Sequence, residues 1–147
     1  MTRDRAATGG FEHTVTVRAT PAELWTVWTD VAAWPTWDTP LVEALLGGPF
    51  RAGTTGRLTD RSGRTSRFTI TEVDGPRAYT FETALPLARL VVRRAITAER
   101  PGSLDMTHHV HFTGALAALW ARLLGPAFRS QLPGVMESLR RRVEGVS

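Results

Sequence analysis

A chain of 147 residues is one domain, long enough to bury a sizeable core without covalent staples. It holds no cysteine, which excludes disulfides and thiolate chemistry, and all eighteen basic residues are arginine. The net charge of +4 is spread along the chain, with no compact basic cluster interleaved with aromatics, so nucleic acid is not expected as a partner. Met1 to Gly10 is polar and lacks the apolar stretch of a secretory signal. The longest apolar run, Ala115 to Leu124, is too short to span a bilayer and is interrupted by Arg122. The expectation is a soluble, cytoplasmic protein without an integral membrane segment.

In chain order, residues 1–10 read as a disordered tail and 11–147 as a single domain. Phe11 to Arg18 alternates, with Phe11, His13, Val15 and Val17 on one side, which predicts a half-buried strand. Thr20-Pro21-Ala22-Glu23 is a helix start: a threonine cap, proline at the first helical position and a glutamate three residues after the cap. That helix runs to Asp30, and a second short one from Val31 to Trp34 stops at Pro35, with Trp37 close behind. Strand-like runs then follow between turn residues: Leu41–Leu46, Thr54–Thr59, Thr65–Val73, Ala78–Ala84, Arg89–Glu99 and Leu104–Thr113. Their short connections predict hairpins and an antiparallel meander.

The chain ends in an amphipathic helix within Gly114 to Val143. Its apolar positions, from Leu116 and Trp120 through Phe128 and Leu132 to Leu139 and Val143, recur at steps of three and four. Gly125-Pro126 and Pro133-Gly134 interrupt the pattern, and proline in a helix interior costs about 3 kcal/mol. They predict a short first segment, a break near Gly125 and a bend near Pro133. A sheet with one apolar face satisfies such a helix by curling around it. Inward parity then selects Phe68 and Ile70, Tyr79 and Phe81, Leu90, Val92, Arg94 and Ile96, and Leu104, Met106, His108, Val110 and Phe112. A curved sheet does not close fully on a cylinder, so a ligand cavity is expected between them.

Several stretches resemble the START-like helix-grip superfamily, and within it the polyketide cyclase/dehydrase branch. They are Ala19-Thr20-Pro21-Ala22-Glu23-Leu24-Trp25, Thr29-Asp30-Val31 and Trp34-Pro35-Thr36-Trp37. Further on come Gly53, Glu72-Val73-Asp74-Gly75-Pro76-Arg77, and Leu123-Leu124-Gly125-Pro126-Ala127-Phe128 to Leu139. Pro133 departs from the uninterrupted last helix of that pattern. The resemblance covers about Phe11 to Val143. It implies an α+β fold: a curved seven-stranded antiparallel sheet wrapped around a long C-terminal helix, with two short helices between strands 1 and 2. It also implies an apolar small-molecule ligand, lipid- or polyketide-like, either bound and carried or cyclised. It leaves a homodimer open and calls for no cofactor.

Candidate residues follow from parity and chemistry. Pairing of the first strand with the last would bring His13 near His108. No inward carboxylate accompanies them as a third ligand, so no metal is expected. His108 reads either as a satisfied buried histidine or as a ligand-contacting, acid–base group. Arg94 reads in two ways as well. Facing the cavity it needs an acid or a ligand oxygen and would stabilise an enolate. Alternatively, a bulge after Val92 turns it outward, or it pairs with Glu82 or Glu99. Trp37, Phe68, Ile70, Tyr79, Phe81, Val92, Met106, Trp120, Phe128 and Leu132 are the candidate ligand-binding walls, with Trp37 placed on the rim. No serine-triad, phosphate-loop or zinc motif is present.

Overall fold

A computed structural model describes residues 8–145. Strand β1 (Thr8–Val17) leads into α1 (Pro21–Thr29) and a 3-10 helix (Val31–Thr36). Strands β2 (Leu41–Leu46), β3 (Thr55–Asp60), β4 (Thr65–Asp74), β5 (Ala78–Leu85), β6 (Ala88–Arg100) and β7 (Ser103–Thr113) follow, and α2 (Ala117–Glu144) closes the chain. Strand β1 includes Thr8, Gly9 and Gly10, so the tail expected over residues 1–10 does not reach that far. Residues 1–7 lie outside the described ones.

All seven strands form one curled antiparallel sheet in the order β1-β7-β6-β5-β4-β3-β2, the helix-grip arrangement. Hairpins give the meander from β2 to β7, and β1 returns to pair with β7. Helix α1 begins as its residues dictate: Glu23 N donates to Thr20 Oγ1 at 3.2 Å while Thr20 N donates to Glu23 Oε1 at 2.8 Å. The 3-10 helix runs past the expected stop and contains Pro35.

Helix α2 is continuous from Ala117 to Glu144, without the expected break at Gly125. Pro126 and Pro133 are seven residues apart, two turns, and both side chains are exposed. The carbonyls they deprive of a partner, those of Arg122 and Arg129, belong to exposed residues on the solvent side, where a missing N–H costs least. The buried positions Ala117, Gly125, Leu132, Val135, Met136 and Leu139 keep an unbroken inner face. Gly145 ends the helix in the left-handed conformation at φ 72°, and Arg141 and Arg142 sit in its last turn.

The core is uneven along α2. Met136 and Leu139 are fully buried, together with Trp28, Trp34, Trp37, Phe68, Tyr79, Leu104 and Met106. This aromatic plug fills one end of the sheet's concave face: Trp34 lies 5.1 Å from Phe81 and 5.7 Å from Phe68, centroid to centroid. Opposite the middle of α2, from Leu124 to Val135, the space between helix and sheet is not filled, and a cavity remains.

Candidate functional site

The cavity has a volume of about 390 Å³, within the range usual for small-molecule sites. Leu58, Phe81, Leu90, Val92 and Val110 from the sheet, and Leu124, Phe128, Leu132 and Val135 from α2, form an apolar barrel. Its inner end is closed by Arg94, Asp38 and His108. Its outer end carries the turn between β3 and β4, with Asp60, Arg61, Ser62 and Arg64.

Strand register builds the inner end. Tyr79 pairs with Arg94 across β5 and β6, Arg94 with His108 across β6 and β7, and His108 with His13 across β7 and β1. Directly paired residues share a face, so four polar side chains form one rung across the concave side. The register irregularity in β6 comes after Ile96, beyond Arg94. Arg94 therefore keeps the inward parity and is only 4% exposed, whereas Arg93 points outward to Glu72.

A buried guanidinium needs an acid, and the acid is Asp38, at 3.1 Å from Arg94 Nη2. Neither Glu82 nor Glu99 fills that place; they pair with Arg89 and Arg77. Asp38 enters from the turn after the 3-10 helix, where its N–H is held by Trp34 O at 2.7 Å. The expectation that no carboxylate faces inward is thus corrected: it arrives from a loop, where strand parity gives no guidance. Burial raises the Asp38 carboxyl above its ordinary range, against the pull of the Arg94 charge and hydrogen bond.

Arg94 also donates to Tyr79 Oη at 2.9 Å, and the Tyr79 hydroxyl donates onward to Trp28 O at 3.4 Å. Burial pushes the Tyr79 hydroxyl up to about 12, so it stays protonated. Around the guanidinium stand Trp34 and Trp37, each 4.8 Å from ring centroid to Arg94 Cζ, and Phe81 at 4.9 Å. This is an aromatic cage for a weakly hydrated cation.

His108 is a buried neutral imidazole. Trp28 Nε1 donates to its Nε2 at 3.3 Å, so the ring proton sits on Nδ1. Its proton affinity is held well below the ordinary value of 6.5, first by burial and then by the charges of Arg94 and His13. Two further donors, Arg94 Nε and Trp37 Nε1, are buried without a hydrogen-bond partner among the described residues. The inner end is thus rich in donors and short of acceptors.

Of the residues expected to form the site, Arg94, His108, Phe81, Val92, Phe128 and Leu132 line the cavity. The other six do not. Trp37 is fully buried behind Arg94 rather than on a rim, because the 3-10 helix turns it inward. Tyr79 stands behind the guanidinium, and Phe68, Ile70 and Met106 are filled-in core. Trp120 does not line the cavity; its Nε1 donates to Pro86 O at 2.9 Å and ties the start of α2 to the β5–β6 turn. His109 and His111 point to the outer face, their rings 5.3 Å apart. Among the described residues no group of three or more His, Asp or Glu is placed to hold a metal ion. No helix among them is long and apolar enough to cross a membrane.

Solved structures share this arrangement. The Zhui aromatase/cyclase from Streptomyces sp. R1128 is 16% identical with a TM-score of 0.73, over 92% of this chain and 93% of that one. Norcoclaurine synthase from Thalictrum flavum is 13% identical with a TM-score of 0.70, over 91% and 92%. A START superfamily protein from Mycobacterium smegmatis is 16% identical with a TM-score of 0.69, over 94% and 99%. At such identities the likeness is one of fold. No curated protein matches the chain in sequence. The family model described as "Polyketide cyclase / dehydrase and lipid transport" matches residues 8–144, nearly the whole chain, and the protein belongs to that family.

Proposed function

We propose that the cavity binds an apolar, ring-containing small molecule whose carbonyl or carboxylate oxygen is received at the inner end. One observation carries this reading: an apolar barrel ends on His108 and on Arg94, whose buried Nε has no hydrogen-bond partner among the described residues. Such an end is satisfied by a ligand acceptor, and the aromatic surroundings suit a planar body. The test is native mass spectrometry of the purified protein with extraction of what it carries, followed by titration with a fluorescent apolar probe. Ala127 lines the cavity yet is exposed on α2, so a bulky side chain there obstructs access without disturbing the core. Ala127→Trp should weaken probe binding about tenfold or more while changing stability by roughly 0.5 kcal/mol or less. Unchanged binding in that variant would place the probe elsewhere.

The position of Asp38 favours a second reading, a cyclase. A largely buried carboxylate whose proton affinity is raised, beside a fixed cation in an apolar cavity, is matched to proton abstraction next to a carbonyl. On a poly-β-keto chain, Asp38 would take a methylene proton and Arg94 would hold the enolate oxygen. The enolate carbon would then bond to a second carbonyl carbon polarised by His108 Nδ1–H. Asp38 would return its proton to the resulting alkoxide, and loss of water would follow. Asp38→Asn keeps the size and an acceptor but cannot take the proton. It should cut turnover of such a chain by about a hundredfold or more with affinity retained. Equal turnover would remove Asp38 as the base.

A further inference from the structure

The two ends of the cavity differ in how their charges are matched. At the inner end Arg94 faces Asp38. Among all charged residues lining the cavity, three arginines stand against two aspartates, and the excess lies at the mouth, on the β3–β4 turn. Asp60 there is committed to its own turn: its Oδ1 accepts from Ser62 N at 2.9 Å, Ser62 Oγ at 2.6 Å and Arg64 N at 3.0 Å. Those bonds, the Ser62 hydroxyl foremost, hold its carboxyl below the ordinary range. With Gly63 N donating to Asp60 O at 3.0 Å, they also make the turn stiff.

Arg61 is anchored by carbonyl oxygens rather than by an acid. Arg61 donates from its backbone N to Pro40 O at 3.2 Å and from Nε to Thr39 O at 2.8 Å, so its two terminal nitrogens are not needed for anchoring. The Arg64 guanidinium lies 6.0 Å from the Trp120 ring centroid. Neither makes an ion pair with a carboxylate among the described residues. An anchored Arg61 and its neighbour Arg64, whose charge also acts on Asp60, bring guanidinium groups outside any ion pair to the mouth of an apolar barrel. There they fit the planar oxygens of a carboxylate or a phosphate.

We propose that Arg61 and Arg64 form an anion site at the cavity mouth. The ligand is then amphipathic, with an acceptor oxygen at the Arg94 end, an apolar body, and a carboxylate or phosphate at the outer end. This rests on the reading of the cavity as a ligand site and narrows the class of ligand.

The test compares dodecanoate, dodecyl phosphate and dodecanol, which share an apolar chain and differ in the head, by displacement of a fluorescent apolar probe. At least one anion should bind about tenfold tighter than the alcohol, and that preference should shrink as salt is raised. Which anion leads tells a carboxylate ligand from a phosphate-bearing one. In the double variant Arg61→Gln, Arg64→Gln the preference should vanish while dodecanol affinity stays the same, which also shows that the barrel is intact. The salt response of the unaltered protein is a second measurement that needs no variant. Equal binding of all three heads, or an anion preference that survives the double variant, overturns the anion site and leaves the cavity reading standing. Failure of the probe and all three chains to bind overturns the cavity reading itself.

Discussion

Arg94→Ala should be among the most destabilising single substitutions in this protein, costing about 3–5 kcal/mol, the range for breaking a buried ion pair. At this chain length that lowers the melting temperature by roughly 10–15 °C. The reason is what remains. Asp38 loses its one cation, Tyr79 loses the donor to its oxygen, and the faces of Trp34, Trp37 and Phe81 lose the guanidinium packed among them. The Asp38 side chain is 18% exposed, so cavity water softens the penalty towards the lower half of that range.

The pH dependence has a definite sign. In the unaltered protein the Asp38 carboxyl is already raised above its unfolded value, so its contribution is fully present below that value and declines as pH rises through the folded one. Removing Arg94 removes the influence that lowers it, and the decline should become steeper. The penalty of Arg94→Ala should therefore be smallest near pH 4 and grow towards neutrality, which urea unfolding at a series of pH values measures. The double variant Asp38→Leu, Arg94→Met should cost less than the two single changes added together. Strict additivity would mean that the pair is not coupled, and that the inner end of the cavity is held by its aromatics alone.

How far the site could be read from sequence depended on what held each residue. Positions fixed by two-residue strand periodicity were legible: Arg94, His108, Phe81 and Val92 keep the parity that the alternation of β5, β6 and β7 gives them. Parity places a residue on a face but does not say how deep along the face it lies. Phe68, Ile70 and Met106 share the correct face, yet they sit where the aromatic plug has filled the space. Trp37 and Asp38 lie in a turn after a 3-10 helix, where no period applies, so their directions could not be assigned. A signal for Asp38 did exist: an inward arginine obliges the chain to supply an acid, and the acids in the loops were as eligible as those on the neighbouring strands. The prolines of α2 show the converse. Their cost is local and depends on which face carries them, and a seven-residue spacing on the exposed face spares the inner bonds.

His108 carries the second large effect, because burial opposes its charged form. Its proton affinity is well below the ordinary value, so below about pH 6.5 the unfolded chain binds a proton there that the folded protein refuses. Stability from this group is complete above the unfolded value and is lost as pH falls towards the folded one, with a limiting slope of about 1.4 kcal/mol per pH unit. Asp38 acts in the opposite direction, so the total curve mixes the two. His108→Gln separates them: it keeps a side chain able to accept from Trp28 Nε1 and removes the titration. Unfolding free energies at about pH 7.5, 6.5 and 5.5 should then show the unaltered protein falling away from the variant only on the acid side. The same neutral ring has a functional consequence. A histidine that does not protonate near pH 6.5 keeps Nδ1–H as a donor and Nε2 as an acceptor throughout, so ligand affinity should show no step there. An ordinary His108 titration in an NMR experiment would mean that water reaches the ring freely. The donor pattern assigned to the inner end of the cavity would then be wrong.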